Sequence, residues 1–164
     1  MSEILNPAGW DYICRRNAEV SEWRKAQVRE RREQVRPAYE AQMEKRKAWL
    51  SELEASKKRL TSLALRLIAD GTAIKTQPRQ LSIFIGWMER EYVRERDDLT
   101  KSVAEYVEEL GMSRALFDKQ LQRARKLLRA HGACAEDVHV WSKSGRTSGR
   151  VEPPSWRKLC EGGE

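Results

Sequence analysis

The chain has 164 residues, of which 35% are charged, and its formal net charge is +7 at pH 7. This length fits one domain, or one small domain with extensions, and so much charge favours a solvated helical protein over a buried α/β sheet. No stretch approaches the roughly 18 apolar residues of a membrane span, so no membrane partner is expected. The excess of positive charge favours a polyanionic partner, with RNA as the alternative to DNA.

The cysteines and the N-terminal residues indicate the compartment. Cys14, Cys134 and Cys160 are odd in number and widely spaced, which is not typical of a disulfide framework. The first residues, MSEILNPAGWDY, lack the basic start and long apolar core of a signal peptide. Both observations predict a cytoplasmic protein.

Residues 1–70 form a charged arm rich in Arg, Glu, Lys, Gln and Ala, which are good helix formers. Residues 15–60 carry 14 Lys or Arg against 8 Asp or Glu. Pro37 lacks a backbone N–H and clashes with the preceding turn, so we expect two helices or one helix kinked near this residue. Asp70 and Gly71 should end the arm, since glycine accepts a left-handed conformation.

Apolar residues recur along the arm at spacings of about seven, which suggests a narrow coiled-coil-like seam. Basic and acidic residues alternate along this sequence, so we favour packing of the arm on its own domain or on a second protomer, as a homodimer. A basic arm lying along phosphates is the alternative. The seam consists of Ile13, Val20, Val28, Val35, Met43, Leu50, Leu53, Leu60 and Leu67.

A helical module is predicted over residues 71–132. Pro78 is suited to the first turn of a helix. A buried stripe should follow at steps of three and four: Leu81, Phe84, Ile85, Met88 and Tyr92, widened by Trp87. These residues indicate a core and no chemistry.

Two further helices and a tight turn complete the module. Asp98 or Thr100 would cap the first helix, Gly111 would make the turn, and Ser113 would cap the second helix. The inner faces of the two helices are predicted to be Val103, Tyr106, Val107 and Leu110 in the first and Met112, Phe117, Leu121, Ala124 and Leu128 in the second.

Charge is sorted between these two helices. Residues 97–111 carry 5 acidic residues and 1 basic residue, whereas residues 113–129 carry 6 basic residues and 1 acidic residue. This distribution suits a second helix that enters an electronegative groove while the first stays outside it. A structural helical hairpin, the alternative, would not require such sorting.

The segment VAEYVEELGMSRALFDKQL resembles the helix-turn-helix DNA-binding superfamily over about residues 98–129. Its turn, GMSRALFDKQL, is similar to the DNA-binding regions of the arabinose-operon and tetracycline-repressor regulator families. The resemblance implies a recognition helix that starts at Ser113 and lies in the major groove. By their positions in the motif, five side chains of this helix would face DNA: Ser113, Arg114, Ala115, Asp118 and Lys119.

Residues 133–164 contain Gly, Ser, Arg and Pro without apolar periodicity, which predicts an extended basic tail. Its cations and tryptophans would contact phosphates and stack on bases, or alternatively fasten the tail to the helical body. These residues are Arg146, Arg150, Arg157 and Lys158 with Trp141 and Trp156.

Catalytic and metal-binding patterns are weak. His131, Cys134 and His139, with Cys160 as a fourth ligand, do not have the usual spacing of a zinc site, so loop residues and unpaired thiols are the preferred interpretation. No phosphate-binding glycine loop, metalloprotease motif or activated nucleophile is recognisable. We therefore expect no enzyme, no cofactor and no small-molecule ligand.

Together these patterns predict an all-α, cytoplasmic, non-enzymatic DNA-binding protein. Its role would be regulatory or architectural: a repressor, or an accessory factor in replication, partition or DNA transfer. A structural subunit that holds RNA or a partner chain without sequence specificity is the alternative. The residues predicted to contact nucleic acid are Ser113, Arg114, Lys119, Gln122, Arg123, Lys126, Arg146 and Arg150.

Overall fold

A computed structural model describes residues 7–97, 103–142, 145 and 149–161. The regular elements of these residues are helices, and no strand occurs among them, so the all-α prediction is confirmed. The helices are α1 (Pro7–Ala69), α2 (Gln77–Arg96), α3 (Val103–Glu109), α4 (Arg114–Ala130), α5 (Ala135–Val140) and α6 (Trp156–Glu161). The chain divides into two compact units: Lys45–Pro153 is one, and Met1–Glu44 with Pro154–Glu164 is the other.

Helix α1 continues through Pro37, so of the two predicted alternatives the division into two helices is excluded and one helix kinked near Pro37 stays a prediction. A proline inside a helix removes one hydrogen bond from the backbone ladder. The strong helix formers on both sides of Pro37 keep their own hydrogen bonds, and the helix persists. It ends where predicted, because Gly71 adopts a positive φ of 74°.

The seam along α1 has two different environments. Leu53, Leu60 and Leu67 are buried in the core of the Lys45–Pro153 unit, as internal packing of the arm requires. Ile13 and Val28 remain exposed. The predicted packing is therefore confirmed for the C-terminal part of the seam.

Helix α2 supplies the centre of the core. Pro78 lies in its first turn, as predicted, and Leu81, Phe84 and Met88 are fully buried. Tyr92 and Trp87 belong to the same core, while Ile85 packs against it half-buried. The apolar stripe predicted from the three-and-four spacing is confirmed.

The region after Gly132 is not wholly extended, which corrects the predicted tail. Residues 135–140 form α5, and the Val138 and Trp141 side chains are fully buried in the core. The Trp141 ring stands edge-on to Trp87 with centroids 5.9 Å apart, and its Nε1–H donates to Ser56 Oγ at 3.1 Å. Burial of this large apolar area fixes the segment against the core, whereas the Gly, Ser and Arg residues that suggested a tail follow it at positions 142–150.

An ion pair fastens α5 to α1. Asp137 accepts hydrogen bonds from Arg59 Nε at 2.8 Å and from Arg59 Nη2 at 2.6 Å. The Arg59 guanidinium favours the ionised carboxylate and holds the pKa of Asp137 below its ordinary 3.8. Because the folded-state pKa is depressed, the stabilisation is present above pH 3.8 and is lost as the pH falls through the folded-state value.

We therefore expect Asp137→Asn to lower the free energy of unfolding at neutral pH, and to lower it progressively less as the pH falls below 3.8. Urea unfolding across the acidic range measures the difference between the two proteins. Glu22→Gln is the control, because Glu22 pairs with Lys25 on the surface and should contribute little at any pH. A difference for Asp137→Asn that stays constant at low pH would contradict the ion-pair explanation.

Candidate nucleic-acid interface

A short turn joins α3 to α4 and fixes the start of α4. Gly111 has a positive φ of 62°, which glycine adopts without strain. Ser113 is the N-cap of α4, and its Oγ accepts a hydrogen bond from the Leu116 backbone N–H at 3.3 Å. Both predictions for the turn are confirmed. The predicted cap of the first helix at Asp98 or Thr100 lies outside the described residues.

The inner face of α4 packs against α2 and α3 as predicted. Phe117 is fully buried, and the edge of its ring meets Tyr106 of α3 with centroids 5.8 Å apart. The rest of the buried face consists of Leu121, Ala124 and Leu128. This packing holds α4 by one side only and leaves the opposite side in solvent.

Gly86 allows α3 to approach α2 closely, and the sequence reasoning missed it. A Cβ atom at this position would lie 2.3 Å from Tyr106 Oη, well inside van der Waals contact. Tyr106 Oη also donates a weak hydrogen bond to the Ile83 carbonyl oxygen at 3.4 Å. A glycine within an otherwise apolar helical stripe is the sequence signal that indicates such a close approach.

The outward face of α4, as we call Ala115, Lys119, Gln122, Arg123 and Lys126, is exposed along its length. Helical periodicity places these residues opposite the buried side chains. The face carries three cations and no carboxylate. Three of the predicted cationic contacts, Lys119, Arg123 and Lys126, therefore share one surface with Gln122.

Arg114 lies beside this face and has partners within its own helix. Its Nε is 3.3 Å from Asp118 Oδ2, and its guanidinium carbon lies 5.6 Å from the centre of the Phe117 ring. Both side chains of the ion pair remain more than half exposed. Asp118 thus has a cationic neighbour that offsets its repulsion of phosphate.

Arg125 is turned inward, although the sequence counts it among the cations of α4. Its Nη1 donates to the Trp141 carbonyl oxygen at 3.0 Å, and burial lowers the pKa of its guanidinium. Arg125 therefore fastens α4 to the segment after α5. The positive charge of the outward face comes from Lys119, Arg123 and Lys126.

A cleft of about 890 Å³ borders α4 on the side of α2. Buried Glu91 and Glu95 line it, and Arg94 Nη2 lies 3.1 Å from Glu91 Oε2. Arg150 also lines the cleft and pairs with Glu95 Oε2 at 3.1 Å. Because carboxylates and guanidiniums alternate here, the outward face is the better surface for a polyanion.

The tail side chains that were predicted to contact nucleic acid are buried, in contact with other residues, or outside the described residues. Arg150 keeps a partly exposed side chain but is engaged by Glu95, and Arg146 lies outside the described residues. Trp141 is fully buried and has no free ring face for a base, which corrects its proposed stacking. In the other unit, Trp156 stacks on Tyr39 with centroids 4.0 Å apart.

Charge remains sorted between α3 and α4 in space. Glu109 of α3 pairs with Arg90 of α2, which compensates its charge. Glu105 and Glu108 are exposed on α3, where no described residue is basic. Of these two helices, α4 therefore carries the positive charge and α3 the negative charge.

Neither a cluster of metal ligands nor a membrane-spanning helix occurs among the residues that the structure describes. Among these residues, no group of three or more His, Cys, Asp or Glu side chains could hold a metal ion. His131, Cys134 and His139 are exposed, and Cys134 Sγ lies 3.7 Å from Glu136 Oε2. None of the described helices combines the length and the apolar character needed to cross a membrane.

Comparisons with protein-family models, with curated proteins and with solved structures find no match for this chain.

Proposed function

We propose that the chain is a non-enzymatic DNA-binding protein, regulatory or architectural in role, that contacts duplex DNA through α4. The observation that carries the proposal is the outward face of α4, where Lys119, Arg123 and Lys126 are exposed beside Gln122 without a carboxylate among them. A helix of about 10–12 Å diameter fits the major groove, which is about 12 Å wide.

The support of α4 agrees with this role. A binding helix has to be rigid before it meets DNA, because ordering it on binding would reduce the affinity. The Ser113 cap and the buried Phe117 and Leu128 side chains hold α4 at its start and near its end. The acidic side chains of α3 lie on a separate helix, where they do not interrupt the basic surface.

Lysines on the outward face would contribute affinity through phosphates, whereas Gln122 and the first turn of α4 would contribute any base preference. Gln is suited to a bidentate contact with adenine. Under this proposal the protein is a sequence-preferring regulator, whereas a structural subunit would hold nucleic acid or a partner without discrimination.

We expect Lys126→Ala to weaken binding to all duplexes to a similar extent and to lower the slope of log K against log[salt] by roughly one unit. Loss of one phosphate contact is the reason. Fluorescence anisotropy with a labelled duplex at several salt concentrations measures both quantities. Lys58→Ala is the matched control, because Lys58 is exposed on α1 and already paired with Glu54 at 2.9 Å.

Selection of bound duplexes from a random pool separates the regulator from the structural subunit. A regulator should enrich one site by orders of magnitude over random duplex. Equal affinity for all duplexes would favour the structural subunit, and unchanged binding by Lys126→Ala relative to Lys58→Ala would exclude α4 as the contact surface.

A further inference from the structure

The N-terminal part of α1 is unusually exposed for a helix. Every described residue from 10 to 34 is exposed, including the large apolar side chains Trp10, Val20, Trp23 and Val28. One ion pair, Lys25–Glu22, occurs within this stretch among the described residues. A helix that buries no face within its own unit is commonly one that contacts a partner.

Basic and acidic residues alternate along this stretch of sequence, but they are not evenly distributed around the helix. At 3.6 residues per turn, Arg24, Arg32 and Arg29 fall within a sector of about 140° around the helix. Glu19 and Glu30 fall toward the opposite side by the same periodicity, whereas Glu33, four residues after Arg29, lies at the edge of the arginine side. The arginines therefore line one side of the helix, with Glu33 at its edge.

The basic face of α1, as we call it, is an open side of the helix made of eight exposed residues. Four of its eight residues are cations and none is acidic. Arg24, Arg29 and Arg32 have no carboxylate partner among the described residues, whereas Lys25 pairs with Glu22 at 2.7 Å. The eight residues are Asn17, Val20, Ser21, Arg24, Lys25, Val28, Arg29 and Arg32.

A second copy of the chain fits this face poorly. A symmetric dimer through the exposed seam at Val20 and Val28 would place the same arginines of both protomers beside one another. Like charges at close range are unfavourable, and Glu19 and Glu30 lie on the far side of each helix, away from this contact. A polyanion meets no such repulsion.

We infer that the basic face of α1 binds the phosphate backbone of duplex DNA, independently of base sequence. This inference extends the proposed function and rests on it for the identity of the polyanion. Arg24 and Arg32 are separated by about 12 Å along the helix, a length over which one DNA strand presents three to four phosphates. Arginine suits this role because its planar guanidinium binds phosphate with two parallel hydrogen bonds.

The test compares two triple variants of the full chain with the same net charge. Arg24, Arg29 and Arg32 are replaced by Gln in one. In the control, Lys58, Arg90 and Arg157 are replaced by Gln, because each is exposed and already paired with a carboxylate. A labelled random-sequence duplex is the probe, and circular dichroism verifies that both variants keep their helices.

The arm variant should lose roughly two to three units of the salt slope, and its affinity at low salt should fall on the order of 100-fold relative to the control variant. Equal slopes and affinities for the two variants would refute the inference while the unmodified chain still binds DNA. If the unmodified chain does not bind duplex at all, the proposed function fails first. Sedimentation of each protein adds a third outcome, since a dimer that tightens when the arginines are removed would assign this face to a second copy.

Discussion

Phe117→Ala is expected to lower the free energy of unfolding by about 3–5 kcal/mol. The side chain is fully buried at the junction of α2, α3 and α4, and its ring meets the Tyr106 ring with centroids 5.8 Å apart. Truncation leaves a cavity that the surrounding helices fill only partly. Urea unfolding followed by circular dichroism measures the change, and DNA binding through α4 should be lost with it.

Leu116→Ala is the matched control for Phe117. The two residues are neighbours on α4, but the Leu116 side chain is 43% exposed. Its replacement should change the free energy of unfolding by less than about 0.5 kcal/mol, as for most surface positions. Similar losses for the two variants would mean that α4 is not fixed by its inner face.

Trp141→Ala should be comparably destabilising, by about 3–5 kcal/mol. The indole is fully buried, packs edge-on against Trp87, and donates from Nε1 to Ser56 Oγ at 3.1 Å. Its removal leaves a cavity between α1 and α2 and takes a donor from the Ser56 hydroxyl. Thermal and urea unfolding of the full chain are the measurements.

Trp23→Ala provides the comparison for Trp141, since its ring is 64% exposed on α1. We expect almost no change in the unfolding of the Lys45–Pro153 unit. Trp141→Phe should lie between the two extremes, because it keeps most of the apolar area but loses the hydrogen bond. If Trp141→Ala were as mild as Trp23→Ala, residues after α5 would not belong to the core.

Burial of Trp141 changes where nucleic-acid contacts should be sought. A tryptophan near Gly, Ser and Arg residues is typical of a base-stacking tail. The Trp141 ring, however, is fully buried in the core and cannot stack on a base. Arg150 is similarly engaged by the buried Glu95. The surfaces that remain for phosphate are the outward face of α4 and the basic face of α1, which belong to different units of the chain.

Local patterns predicted the helical module well because its signals are short in range. The three-and-four spacing of Leu81, Phe84 and Met88 needs only α-helical geometry to become a buried stripe. The turn at Gly111 and the Ser113 cap depend on the backbone preferences of single residues. Pairings between distant residues leave no such local pattern in the sequence. Arg59 and Asp137, for example, form an ion pair although they are 78 positions apart in the chain.

Amino-acid sequence by itself determined the all-α class, the end of α1, the start of α4 and the buried face of α4, because helix propensity, capping and apolar periodicity act within a few residues. Tertiary structure alone decided which charged and aromatic side chains stay outside. Arg125 and Trp141 turn inward because partners on other helices, or on the segment after α5, satisfy their polar groups. Arg24, Arg29 and Arg32 have no carboxylate partner among the described residues and stay in solvent, because residues 10–34 of α1 are exposed throughout.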